Sequence, residues 1–358
     1  MHEGKNRTTI LTIPREFAGD VGVRQRNAIM SWLAMAPESG PSARPEVIMF
    51  GDDAGVGRFA REVGAVHVPE IARTDRGTPL FSDALARGQA MASGDVVAYV
   101  NSDIVLFDDF LRGIETVQAQ GWSRWLLVGC RQNLDMPGEA IDFADPMWRE
   151  KLRARAISDG VSNGASGKDY FAFPRGMYAD VPPFAIGRST FDDWMVSFPM
   201  LSGFPVVDCT QAVLAVHQNH DYGHISNSDP DWSRAYFIEG HPEVRRNRSI
   251  MPFYFCGRID DAVWEMRDGV IRKRRSAFGV FAHSMRKVAM YLKWLCVYCW
   301  AECVLHLTGR HVIDPRKVIT QSTDYMPAIR WNARRVMGEL QRLAAIPKEK
   351  HWRIKNGQ

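Results

Sequence analysis

Short, continuously apolar runs alternate with stretches of helical periodicity through the first hundred residues. Thr8–Pro14 is β-branched and apolar and predicts a strand, after which residues 20–36 place Val23, Ala28, Ile29, Trp32 and Leu33 at helical spacing. Glu46–Phe50 predicts a second strand, closed by Gly51-Asp52-Asp53; a helix over Val56–Val63 and a short run Val66–Val68 follow. Residues 80–92 are helix-like again before a fourth strand at Asp95–Val100. Strands this short and apolar, separated by helices, predict an α/β fold with a mostly parallel central sheet and helices on both faces. Ligands in such sheets bind at the carboxyl ends of strands, so polar residues there are the first candidates for chemistry.

Two strand ends carry such residues. The second strand delivers Asp52 and Asp53, and the fourth delivers Asn101-Ser102-Asp103 ahead of the apolar Ile104-Val105-Leu106. Carboxylates just past two buried strands suit a hard divalent cation and a ribose hydroxyl. The plainer account is capping, of the helix near Gly55 by Asp53 and of a turn by Asp103; the matching positions of the two clusters favour function. Gly51–Gly57 is rich in glycine, but its spacing is neither the dinucleotide fingerprint nor a P-loop, and no Lys-Ser or Lys-Thr pair ends it. A dehydrogenase or P-loop kinase is thereby disfavoured.

Composition narrows the class. A chain of 358 residues, 46% hydrophobic and 24% charged, is an ordinary globular one; collagen, coiled coil and disorder are excluded. The formal charge of +4 conceals an asymmetry, because residues 1–225 hold 21 basic and 28 acidic side chains while residues 226–358 hold 24 and 13. The acidic part suits a cation or metal-bound substrate and the basic part an anionic surface. The expected organisation is a catalytic domain over 1–225 and a basic extension over 226–358. The polar start fits no secretory signal, and six unevenly spread cysteines form no disulfide framework, so a reducing, cytoplasmic setting is expected.

Further along stand Asp169-Tyr170-Phe171-Ala172-Phe173-Pro174-Arg175-Gly176, then Ile186-Gly187-Arg188, Phe191-Asp192-Asp193-Trp194 and Ala215-Val216-His217-Gln218-Asn219-His220-Asp221-Tyr222. With the two acidic strand ends, residues 8–225 resemble a glycosyltransferase of the GT-A fold, close to the large family 2 group. Within it, the chain looks like a subgroup in which an aromatic-Asp-polar-Trp tetrad follows an Ile-Gly-Arg turn. That subgroup usually shows Trp-Asp-Asn-Trp, so Phe191 and Asp193 are departures.

The resemblance implies that Asp52 or Asp53 holds the nucleoside and that Asn101-Ser102-Asp103 stands where a DxD motif would. Asp103 is then the firm ligand for Mn2+ or Mg2+. Asp192, with Asp193 as the adjacent alternative, takes the place of the general base. The implied activity is a metal-dependent, inverting transfer of a sugar from a nucleoside-diphosphate donor to a hydroxyl of a glycan or lipid-linked acceptor.

The chemistry asks for these residue types. A metal neutralises the leaving diphosphate, and a carboxylate accepts the acceptor's proton. Burial between Phe191 and Trp194 would raise the pKa of Asp192 toward a base's working range; the plainer reading makes Asp192 a helix cap. His217, ending the apolar run Ala212–Val216, is a further metal-ligand candidate and His220 a lesser one, and imidazoles favour manganese over magnesium. Asp169 and Arg188 either contact acceptor or phosphate or pair with each other. A sugar nucleotidyltransferase would want a basic glycine-rich loop after its first strand, which Pro14–Gly19 does not supply. Asn101, in place of an acid, leaves room for a non-catalytic binding protein on the same fold.

In the basic third, Asp260-Asp261-Ala262-Val263-Trp264 and Asp268-Gly269-Val270-Ile271 predict a hairpin with a tight turn. Arg272-Lys273-Arg274-Arg275 follows, and then Val288–Leu307, twenty mostly apolar residues interrupted by Lys293 and Glu302. These read as a mainly helical extension making peripheral contact with an anionic membrane, because each basic residue near such a surface adds about 1 kcal/mol. Cys296, Cys299 and Cys303 share one helix face and are expected to pack in a seam rather than join His306 around a metal. No nucleic-acid partner is expected.

Overall fold

The computed structural model describes residues 7–36, 44–188, 190–220, 242–250, 257–274 and 277–308, with isolated positions between 333 and 340. Asp221, Tyr222 and Arg275, named above, lie outside the described residues. The chain begins β1 (Thr8–Thr12), α1 (Gly19–Leu33), β2 (Glu46–Phe50), α2 (Val56–Val63), β3 (Val66–Val68), α3 (Phe81–Met91) and β4 (Val96–Val100). It continues through β5 (Ile104–Val105), α4 (Asp108–Gln118), β6 (Leu126–Val128), β7 (Gln132–Leu134), α5 (Trp148–Ser158), β8 (Val161–Ser162) and β9 (Tyr170–Pro174). The last elements are α6 (Phe191–Leu201), β10 (Val206–Asp208), β11 (Val216–Gln218), α7 (Pro242–Ile250), β12 (Trp264–Arg267), β13 (Val270–Lys273) and α8 (Ala277–Thr308).

The architecture is the expected α/β one. Nine strands form the main sheet in the order β13-β12-β10-β6-β9-β4-β1-β2-β3. All neighbours run parallel except where β9 lies antiparallel between β4 and β6 and where β13 turns back on β12. Strand side chains alternate between faces, and both faces are buried. Ile10, Val47, Met49, Val96 and Ala98 join one core with Ala28, Ile29 and Trp32 of α1 and Phe110 and Ile114 of α4. Leu11, Ile48, Phe50, Val97 and Tyr99 join another with Phe81 and Leu85 of α3 and Trp194 and Met195 of α6. This two-sided burial is why the strands carry consecutive apolar residues, such as Ile10-Leu11 and Val47–Phe50, rather than alternating ones.

A second sheet, β5-β11-β7-β8, stands beside the first with α5 packed against it. The run Ala212–Val216 is not itself a strand, since β11 spans Val216–Gln218 and His217 is its middle residue. The predicted hairpin forms: Asp268 and Gly269 take φ of 53° and 70°, the left-handed pair that a two-residue turn matched to strand twist requires. β12 pairs in parallel with β10, so the main sheet takes its last two strands from the basic segment. Arg274 fixes this edge by pairing with Asp208 and, at 3.1 Å, with Glu265. Cys296, Cys299 and Cys303 on α8 are exposed, which overturns their assignment to a packed seam.

Candidate functional site

An antiparallel strand among parallel ones begins at the edge where its neighbours end. β9 pairs Tyr170 with Val100, so Lys168 and Asp169 arrive beside the carboxyl end of β4. Asn101 donates from Nδ2 to Asp169 Oδ1 at 2.6 Å, while Arg131, just past β6, donates to Asp169 Oδ2 at 2.7 Å. An ionised carboxylate at position 101 could not make that bond, which is a physical reason for Asn where a DxD motif has an acid. Asp169 and Arg188 do not pair with each other. Arg131 occupies Asp169, and Arg188 reaches Glu243 on α7 at 3.1 Å.

Asp103 lies one residue before β5. Its Oδ2 is 3.1 Å from His220 Nε2 and 3.4 Å from His217 Nε2, and its Oδ1 is buried with no hydrogen-bond partner among the described residues. Gln218, fully buried, holds the Asp103 main chain by donating from its backbone N at 3.3 Å and from Nε2 at 3.1 Å to the carbonyl oxygen. Burial works to raise the Asp103 carboxyl, but the two imidazoles outweigh it, His217 foremost, and hold it well below the usual carboxylate range. Asp103 is therefore no turn cap. One donor atom from each of the three residues falls within 4.8 Å of the others, the one such group among the described residues. An orphaned carboxylate oxygen beside two imidazole nitrogens fits a divalent cation of the Mn2+ or Mg2+ kind, with the nitrogens favouring manganese.

A second cluster is built around a lysine. Lys168 Nζ is buried, 2.7 Å from Asp193 and 3.3 Å from Asp192 at the first turn of α6. Phe191 and Trp194 of the tetrad face the core, and the two acids between them point to Lys168. The helix cap is Thr190, not Asp192. Thr190 adopts φ of 92°, a strained value for a β-branched residue, at the turn that presents the acids. Burial pushes the Asp192 carboxyl up to about 6, against the pull of Lys168 and with the help of Asp193. The Lys168 ammonium is held charged, because the two carboxylates outweigh its own burial. Gly257 presses on this turn: a Cβ there would lie 2.6 Å from the Asp193 Cα and carbonyl oxygen.

At the end of β2, Asp52 and Asp53 share Arg73 Nη2 at 2.8 and 3.2 Å. The cap of α2 is Gly55, so Asp53 is not a helix cap either. A groove of about 570 Å³ opens here, lined by Asp52, Pro69, Ile71, Arg73, Asp83 and Arg87. Gln25 of α1 ties the loop after β1 to the fourth strand end, its Oε1 accepting from Arg15 N at 2.7 Å and Ser102 Oγ at 3.1 Å.

Sequence reasoning does not single out Lys168, Arg131, Arg73, Gln25 or Gln218. Lys168 has a usable signal, since it stands with Asp169 directly before an apolar strand. It goes unread when only the trailing ends of strands are searched.

No protein-family model matches the chain, and no curated protein matches it. Solved structures do align with it. A glucosyl-3-phosphoglycerate synthase from Mycobacterium tuberculosis, in complex with Mg2+ and uridine diphosphate, is 14% identical over 61% of this chain and 74% of that one, with a TM-score of 0.34. S. aureus TarS 1-349 with UDP-GlcNAc is 13% identical over 69% and 70%, with a TM-score of 0.40. GalNAc-T7 with UDP, GalNAc and Mn2+ is 11% identical over 69% and 48%, with a TM-score of 0.42. Likenesses of this size carry no functional weight by themselves.

Proposed function

We propose that the chain is a metal-dependent, inverting glycosyltransferase of the GT-A type. It would move a sugar from a nucleoside-diphosphate donor to a hydroxyl of a glycan or lipid-linked acceptor. The observation that carries this reading is the presence of a three-donor cluster around Asp103, just past β4, together with a carboxylate at the first turn of α6, Asp192, whose pKa burial raises to about 6. Glycosyl transfer asks for those two things, a cation for the leaving diphosphate and a base for the attacking hydroxyl.

Asp103, His217 and His220 would hold Mn2+ or Mg2+, which when bound supplies charge neutralisation on the phosphate oxygens. Asp52 or Asp53 would accept from the ribose hydroxyls beside the groove at Ile71 and Arg73. Asn101 would act indirectly, by keeping Asp169 and the 168–169 pair in register with the end of β4. Asp192 Oδ takes the proton from the acceptor hydroxyl as that oxygen bonds to the anomeric carbon. The bond from this carbon to the phosphate oxygen breaks, and the nucleoside diphosphate leaves. Lys168 lies closer to Asp193 than to Asp192, which supports giving the fixed ion pair to Asp193 and the base role to Asp192.

Calorimetry with UDP-glucose, UDP-GlcNAc and GDP-mannose, with and without Mn2+, tests the reading. One of them should bind in a Mn2+-dependent manner, and Asp103→Ala should abolish that dependence. Equal binding in chelator would remove the metal role, and no binding of any nucleotide sugar would remove the function.

A further inference from the structure

An exposed apolar stripe runs along α8. At 100° per residue, Met285, Leu292, Cys296, Trp300, Cys303 and Leu307 fall within an arc of about 80°. All six are exposed, Leu292 by 44%, Trp300 by 58% and Leu307 by 84%. Near its start the helix is committed to the fold on another flank: Ser284 and Val288 are buried, and Lys287 pairs with the fully buried Asp261. Arg286 and Lys293, both exposed, form one shoulder of the stripe at about 100° and 80° from Met285. Arg272 and Lys273, also exposed, stand at the end of β13, just before the helix.

We propose that this face of α8 lies in the surface of an anionic lipid bilayer, with Leu292, Trp300 and Leu307 inserted and Arg272, Lys273 and Lys293 at the headgroups. An in-plane helix needs an apolar stripe and a cationic border, and an interfacial aromatic suits the boundary between them. No helix among the described residues is long and apolar enough to cross a membrane, so the helix lies along the surface instead of spanning it. Charge decides against a second copy of the chain as the occupant. An antiparallel two-fold contact through the stripe would set the same basic shoulder against itself. Residues 226–358, with 24 basic and 13 acidic side chains, point to a surface of opposite sign. Arg274 does not belong to the lipid-facing set, being engaged by Asp208 and Glu265. The proposal is independent of the glycosyl-transfer reading.

Flotation of the full chain with vesicles tests it. The protein should rise with phosphatidylglycerol-containing vesicles, stay down with pure phosphatidylcholine, and lose most of its bound fraction when salt shortens the reach of its charges. The triple variant Leu292→Ser, Trp300→Ser, Leu307→Ser changes only exposed side chains. It should keep its melting temperature and lose at least tenfold in vesicle affinity. Replacing Arg272, Lys273 and Lys293 by Ser should abolish the preference for anionic lipid. Flotation that the triple variant leaves intact would overturn the proposal, as would no flotation with either lipid. A dimer seen in sedimentation and dissolved by the triple variant, without lipid binding, would assign the face to a second copy.

Discussion

Two acidic clusters share one sheet edge and are finished in opposite ways. Around Asp103 the neighbours are imidazoles, one carboxylate oxygen is buried without a partner among the described residues, and the group is held strongly acidic. Around Asp192 the fold supplies its own cation, Lys168, and burial still drives the carboxyl up. A carboxylate set among imidazole nitrogens suits a divalent cation, whereas a carboxylate beside a resident ammonium is already charge-paired. Carboxylate count alone therefore does not assign a role. The partner decides it.

The largest effect should come from breaking the proton-exchanging side. Asp192→Asn keeps shape and cannot accept a proton, so turnover should fall by about 10²–10⁴, while Mn2+-dependent donor affinity, read by calorimetry, stays within error. If Asp193→Asn gives the loss instead, the two acids exchange roles. On the cation-receiving side, His220→Ala should weaken Mn2+ binding by roughly 10–100-fold, the scale seen when the surroundings of a metal are disturbed. Electron paramagnetic resonance of free Mn2+ measures this without any turnover, and an unchanged affinity would leave Asp103 and His217 as the ligands.

A third prediction sharpens the contrast through pH. The base works as its carboxylate, so kcat/KM should fall as pH drops through about 6. Lys168 favours that carboxylate. In Lys168→Met its pKa therefore rises, and the acidic limb should move to higher pH by about one pH unit or more. A pH profile lowered evenly, with its limb in place, would make Lys168 only a structural residue. The smallest effect belongs to Gly257→Ala, whose added methyl meets the Asp193 backbone. Overpacking of this kind costs about 1–3 kcal/mol, and a thermal melt with kcat measured alongside should show both stability and rate reduced, with donor binding unchanged.

Much of the fold is legible in the sequence alone. β4 is apolar at every position, and β1 and β2 are apolar on both faces at their centres, because both faces are covered, and that pattern announces itself locally. The hairpin at Asp268-Gly269 is equally local, since two adjacent residues favour its turn. Its pairing with β10 is a tertiary fact that no window around residue 264 contains. Lys168 is illegible for a related reason. Lysines are rarely fully buried, and only the insertion of β9 against the direction of its neighbours brings this one to the carboxyl end of β4. His220 looks the weaker ligand in sequence because it follows the strand, yet the turn after β11 brings its ring closer to Asp103 than that of His217.

The place of β9 also sets an order of events for the newborn chain. β4 and β6 have no pairing with one another; both hydrogen-bond to β9, which is synthesised more than forty residues after β6 ends. Until that strand docks, the half of the sheet bearing Asn101 and the half bearing Arg131 are unjoined. Lys168 and Asp169 then arrive with the strand that joins them. Non-local pairings of this kind are slow to form and leave open edges while they wait. Activity should therefore return in step with the last sheet-forming phase of refolding, and an early compact intermediate should already protect the amides of β1, β2 and β4 from exchange while lacking any affinity for donor.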